Sequence, residues 1–152
     1  MNNTVICIDV DNQEHRKVFG SLFREYAPEL SEQHIATTLE HVFTLPYFHG
    51  FISFSDDKPA GIVVCFESFS THRAKKVMNI HDFMISSSHR GKGLGKLQLK
   101  GIEQYCREKD YVKITLEVES SNLAAKSLYS SCEFKDYKAA HKNQLHWQKS
   151  LS

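Results

Sequence analysis

The chain predicts a single α/β domain over residues 1–152, and three observations carry that reading. Apolar positions alternate between strand and helix periods in the order β-α-α-β-β-β-α-β-α-β-β, which implies a mixed sheet with helices on its faces. One strand-like run passes directly into a glycine-rich turn that opens a helix. The 152 residues, 41% of them hydrophobic, suit one core of ordinary size and rule out two large domains.

Residues 4–8 are apolar and β-rich. Asp11-Asn12-Gln13-Glu14 has capping-box spacing, and Val18, Phe19, Leu22, Phe23 and Tyr26 then recur at helical period. Pro28 interrupts; Ser31 is placed to cap a second helix bearing Ile35, Leu39, Val42 and Phe43, which Pro46 closes. Residues 47–54 and 60–69 read as an antiparallel hairpin around the turn-forming stretch 55–59, with Asp57 or Lys58 at the tip. A basic link over 70–76 precedes a strand over 77–85. The helix after the glycine-rich turn has Leu94, Leu97, Ile102, Tyr105 and Cys106 on its apolar side, and Gly101 suits close packing. Val112, Ile114, Leu116 and Val118 alternate with Lys113, Thr115, Glu117 and Glu119, the clearest strand pattern in the chain. Asn122 is placed to cap a short helix carrying Leu123, Leu128 and Tyr129, and two weaker strands are expected near 134–137 and 145–149.

Nineteen Lys+Arg against eighteen Asp+Glu give a net charge of +1, which supplies no electrostatic case for a dedicated nucleic-acid or membrane-surface binder. The short basic stretch His72-Arg73-Ala74-Lys75-Lys76 reads as solvated link. No apolar run approaches the roughly 20 residues of a membrane span, and residues 1–10 lack the pattern of a signal peptide, so a cytoplasmic protein is expected. Cys7, Cys65, Cys106 and Cys132 form no C-x-x-C pair and no zinc spacing with the nine histidines; buried apolar fillers and no metal site are expected.

Arg90-Gly91-Lys92-Gly93-Leu94-Gly95 lies where strand gives way to helix. Free backbone N–H groups and the positive end of the helix dipole converge there, glycine lets the backbone approach a ligand, and Arg90, Lys92 and Lys96 add charge. Phosphate is the natural ligand. The dinucleotide pattern G-x-G-x-x-G fails because position 96 is Lys96, and no Walker-type loop can be placed.

Arg90, Gly93 and Gly95 do fit Arg/Gln-x-x-Gly-x-Gly/Ala, and on these residues the chain resembles the GNAT family of N-acetyltransferases. Ile80-His81-Asp82-Phe83-Met84-Ile85 is similar to the family's fourth strand. Leu116-Glu117-Val118 with Asn122, Ala125, Leu128-Tyr129 and Phe134 looks like its fifth strand, next helix and following strand. The resemblance covers about residues 50–149; the first 45 residues agree only in element order. Two positions depart from the pattern: Ser87 stands where Pro is common, and Glu133 stands where Gly is usual, in a turn that asks for a positive φ that Glu resists.

The resemblance implies a mostly antiparallel central sheet with splayed fourth and fifth strands, and transfer of an acetyl group from acetyl-CoA directly to a primary amine. It implies that the backbone around Phe83, Met84 and Ile85 pairs with the donor's pantetheine arm, and that Arg90, Gly91, Lys92, Gly93, Leu94, Gly95 and Lys96 hold its pyrophosphate. Asn122 would hydrogen-bond the arm, and Tyr129 would be the general acid toward the departing thiolate. A phenol, with a free pKa of about 10, is protonated at neutral pH and can give its proton to a thiolate. The family often forms homodimers.

A primary amine is mostly protonated at neutral pH, so a general base must act first. Asp82, His81, Glu67, Glu117 and Glu119 are the candidates, and strand alternation sends His81 and Asp82 to opposite faces. Competing readings are a covalent intermediate on Cys132, a non-catalytic acyl-CoA-binding sensor or partner module, and a basic RNA- or protein-binding domain. The last would leave the glycine-rich turn without a role.

Overall fold

The computed structural model describes residues 2–137, 143, 145 and 147–152. They fall into two compact units, Met1–Glu117 and Val118–Ser152.

In the first unit, β1 (Asn3–Cys7), β2 (Phe48–Ser55), β3 (Lys58–Ser70), β4 (Lys75–Ile85) and β5 (Lys113–Leu116) form one sheet in the order β1-β2-β3-β4-β5. Every pairing is antiparallel except β4 with β5, which is parallel. Helices α1 (Gln13–Tyr26) and α2 (Glu32–Val42) cover one face. Their apolar stripes, with Phe19, Leu22, Phe23, Ile35 and Leu39 buried, meet Phe48, Ile52, Ile62, Val64 and Met84 of the sheet. Helix α3 (Leu94–Glu108) covers the other face.

Caps set the helix starts. Asn12, one residue later than the capping-box spacing suggested, accepts from the His15 N–H at 3.1 Å, and Ser31 accepts from the His34 N–H at 3.1 Å as expected. The β2–β3 connection is tighter than predicted. Its tip is Asp56-Asp57 with φ of 48° and 64°, Ser55 pairs with Lys58, and Pro59 already lies in the ladder. Two left-handed residues suit a two-residue hairpin because their twist matches that of the strands. The basic link shrinks in the same way: β4 begins at Lys75, and Ser70 pairs with it.

α3 lies close to the sheet where side chains are small. A Cβ on Gly101 would come within 2.8 Å of Val5, and one on Gly61 within 2.7 Å of Gln98. Gln98, wholly buried, is a polar residue in what the apolar pattern predicts as a core face. It is satisfied there: its Oε1 accepts from Ser53 Oγ at 2.8 Å, and its Nε2 donates to the Ile62 and Met84 carbonyls at 3.4 Å.

The second unit contains α4 (Leu123–Ser131), capped by Asn122, whose Oδ1 accepts from the Ala125 N–H at 3.1 Å. The expected final strands do not form among the described residues. Residues 134–136 and 145, 147, 148 and 149 lie outside any strand, Tyr137 is helical, and His146 falls outside the described residues. β5 also stops at Leu116, short of the alternating pattern that runs to Val118.

Candidate active site

The strand–turn–helix join from β4 to α3 gathers two left-handed glycines, an uncapped helix start and two cations at one turn. After Ile85 the chain makes a single 3-10 turn over Ser87–His89 and reaches Gly91 and Gly93, whose φ values of 75° and 78° lie in the left-handed region that favours glycine. A Cβ built on either would meet nothing within 4 Å, so the side of the loop away from the protein is open. Gly93 is the N-cap of α3 and has no side chain to cap it, which leaves first-turn N–H groups of Leu94, Gly95 and Lys96 for an external acceptor. The Leu94 side chain is buried, so its contribution at this turn is its amide.

Arg90 and Lys92 stand at the same turn. Arg90 Nε donates to the Ile85 carbonyl at 2.9 Å, and Lys92 Nζ donates to the Ser88 carbonyl at 3.3 Å. A guanidinium has five N–H donors in a fork, so one spent on Ile85 leaves the fork's end for an anion.

α1 braces this loop. Glu25, its penultimate residue, accepts from Ser87 N–H, Ser87 Oγ and Ser86 Oγ, each at 3.1 Å and all on one carboxylate oxygen. The Ser87 N–H bond outweighs the cost of burial and, with the serine hydroxyls and the charge of Arg90, holds the Glu25 carboxyl below its usual range.

β4 runs beyond its partner. Pairing with β5 covers Val77–Lys113 to Ile80–Leu116, whereas β4 continues to Ile85. Backbone groups of successive strand residues point to opposite edges. Ser86 N–H donates to the Ala60 carbonyl on the β3 side at 2.7 Å, so Phe83 and Ile85 direct their backbone groups to the other edge, past the end of the β5 ladder. Met84 faces β3 and buries its side chain in the core beneath α1 and α2.

A bulge between Val64 and Cys65 in the β3–β4 register alters the expected placement of two residues: Val64 pairs with Asp82 but Cys65 pairs with Ile80, leaving His81 as the extra residue. Alternation therefore fails at this point. Asp82 accepts from the Tyr26 hydroxyl of α1 at 3.0 Å, and the exposed His81 packs edge-on against Phe66 at 5.4 Å between ring centroids. Both side chains lie on the α1–α2 face rather than on opposite ones.

Glu67 lies on the α3 face, in a separate network. Its Oε1 accepts from Tyr111 Oη at 2.6 Å, bonds His49 Nε2 at 3.0 Å and lies 3.7 Å from Lys76 Nζ. Burial works to raise its pKa, but the bonds from Tyr111 and His49 and the charge of Lys76 prevail and lower it. The neighbouring Tyr105 hydroxyl, desolvated and close to Cys7, is pushed up to about 12. Glu117 is exposed just after β5, and Glu119 is exposed in the second unit.

In that unit Tyr129 lies in the last turn of α4, its ring 5.9 Å from that of Phe134. Burial raises the Tyr129 pKa, which keeps the phenol protonated. Cys132, the C-cap residue of α4, and Cys7 are half-buried, while Cys65 and Cys106 are buried as expected. Among the described residues no group of three or more His, Cys, Asp or Glu is placed to hold a metal ion, and no helix is long and apolar enough to cross a membrane.

Glu25, Tyr26 and the bulge at His81 escape sequence reasoning. Glu25 and Tyr26 sit at the end of an ordinary amphipathic helix, and only the tertiary pairing reveals the bulge.

The first unit is a three-layered α/β fold with an open glycine turn at a strand–helix join and a fourth strand outrunning the fifth. The model of the acetyltransferase (GNAT) family matches residues 15–134, and the chain belongs to that family. It is 26% identical over 120 residues to N-acetyltransferase 8F1 of Rattus norvegicus, a match covering 74% of this chain and 54% of that protein. The chain spans about half or less of the length of the curated relatives it matches. Among solved structures, a probable acetyltransferase superposes with a TM-score of 0.81 at 20% identity, covering 100% of this chain and 99% of the other. An aminoglycoside N-acetyltransferase in complex with CoA superposes with a TM-score of 0.77 at 11% identity, over 99% and 96% of the two chains. At such identities the superpositions speak for the fold.

Proposed function

We propose that the chain is an acetyl-CoA-dependent N-acetyltransferase that moves an acetyl group directly to a primary amine, its two units acting as one catalytic domain. The observation that carries this reading is the open turn at Gly91 and Gly93, left-handed at both glycines and leading into an uncapped helix beside Arg90 and Lys92. Its chemistry suits a pyrophosphate, and membership of the acetyltransferase (GNAT) family supports acetyl-CoA as the donor that carries it.

Bound acetyl-CoA supplies the acyl group as a reactive thioester. The amides of the α3 first turn, with Arg90, Lys92 and Lys96, neutralise its pyrophosphate. The edge of β4 at Phe83 and Ile85 offers backbone groups to the pantetheine arm, and a strand N–H there can polarise the acetyl carbonyl. Met84, buried and turned to β3, takes no part at that edge. Asn122, with its carbonyl oxygen engaged in capping α4, presents its amide NH2 to the donor arm.

On the acceptor side, the Asp82 carboxylate, steadied by Tyr26, attracts the cationic amine, and His81 takes a proton from it directly or through water. Glu67 is assigned to structure, because Tyr111 and His49 engage it on the opposite face. Glu117 and Glu119 are left without a part. Tyr129 gives its proton to the leaving thiolate; a pKa raised by burial ensures that the proton is present at neutral pH.

An amine panel of aminoglycosides, polyamines, amino acids and peptide N-termini, read by release of free CoA thiol, tests this directly. Thiol release on one class is expected, and Tyr129→Phe is expected to lower its turnover by about 100-fold with little change in CoA affinity. CoA binding with no release on any amine would favour the non-catalytic sensor.

A further inference from the structure

The donor loop is held by a helix that also reaches the acceptor side. Glu25 and Tyr26 are consecutive residues at the end of α1: the first accepts three hydrogen bonds from Ser86 and Ser87, and the second donates to Asp82 on β4. Ser87 N–H opens the 3-10 turn that delivers the chain to Arg90 and Gly91. The turn has no side-chain cap of its own, since Ser86 at its N-cap makes no capping bond, and Glu25 supplies the acceptor from another element.

We infer that Glu25 is a positioning residue of the donor site, fixing the turn that presents Arg90 and the Gly91–Gly95 amides, and that α1 thereby ties this loop to the Tyr26–Asp82 contact on the acceptor side. The inference rests on the proposed donor site.

Electrostatics alone points the other way. A carboxylate beside a pyrophosphate site repels the ligand, so removing it should tighten binding if charge were all that mattered. Positioning makes the opposite forecast for some substitutions only. Glu25→Ala loses the acceptor, and Glu25→Asp is one methylene too short to reach; both should weaken CoA binding by about ten-fold, the scale of lost charge-assisted hydrogen bonds. Glu25→Gln keeps an acceptor oxygen at the same reach and loses the charge, so it should bind CoA as tightly as wild type or more tightly.

The experiment is calorimetric titration of CoA into the full chain and the three variants, with thermal melting as a control on folding. Weakening in Glu25→Ala and Glu25→Asp with rescue in Glu25→Gln is the expected pattern. Tighter binding in both Glu25→Ala and Glu25→Gln would overturn the inference in favour of simple repulsion. Lower melting midpoints with unchanged CoA affinity would overturn it in favour of a purely structural role. Wild-type protein that fails to bind CoA would remove the donor-site reading itself, and this inference with it.

Discussion

His81 and Asp82 are neighbours in the sequence that share a face of the sheet only because the β3–β4 register slips between Val64 and Cys65. Period-two reasoning separates them; the bulge brings them together, one against Phe66 and the other bonded to Tyr26. The two side chains are assigned different duties, and kinetics can separate them. On the amine released fastest in the panel, Asp82→Asn should raise the acceptor KM by about ten-fold with kcat largely kept. His81→Ala should lower kcat by about 100-fold. A His81→Ala enzyme with wild-type kcat would shift the base elsewhere, and an unchanged KM in Asp82→Asn would remove its role in attracting the amine. The identities of both residues were legible as candidates; their placement was not, because a bulge is a property of two strands together and leaves no mark in either alone.

At the scale of elements, local chemistry explains most of what the sequence made readable. The caps at Ser31 and Asn122 and the apolar stripes of α1 to α3 follow from side chains acting within a few residues, whereas the α1 cap falls on Asn12 instead of Asp11 and the hairpin tip on Asp56-Asp57 instead of around Asp57 and Lys58. The end of α4 is more instructive. Phe134 N–H bonds the Tyr129 carbonyl and Glu133 N–H bonds that of Ser130, both at 3.0 Å, with the Tyr129 and Phe134 rings in contact. This is a Schellman turn, and it forms although its left-handed position, φ 68°, is occupied by Glu133 where glycine fits best. α3 ends in the same way with Asp110 at φ 61°. Glu133→Gly should therefore raise stability by about 0.5–1 kcal/mol, the left-handed penalty less glycine's extra chain entropy, read as a higher thermal midpoint. A lower midpoint would mean that Glu133 makes a stabilising contact that outweighs its strain. The strands expected near 134–137 and 145–149 failed for the converse reason: short apolar runs carry weak period information, and nothing local fixes a partner.

Across the molecule, the residues proposed to hold the donor were readable, and the contacts around those proposed for the acceptor were not. Arg90, Gly93 and Gly95 mark the turn because backbone conformation and charge follow from residue type at fixed spacing; the family resemblance read from them is shown by the family model over residues 15–134, while the ligand of the turn is proposed. The bracing of the loop by Glu25, the wholly buried Gln98 and the Glu67–Tyr111–His49 network depend on contacts between residues tens of positions apart, which no local pattern encodes. Everything proposed for the chemistry depends on that turn binding CoA. The most direct measurement is therefore calorimetry of CoA with wild type and with Gly93→Trp, which fills the open side of the turn and strains a left-handed position. Wild-type binding weakened by about 100-fold or more in a folded Gly93→Trp protein is the expected result; equal affinity in the two proteins, or no binding by wild type, would contradict it.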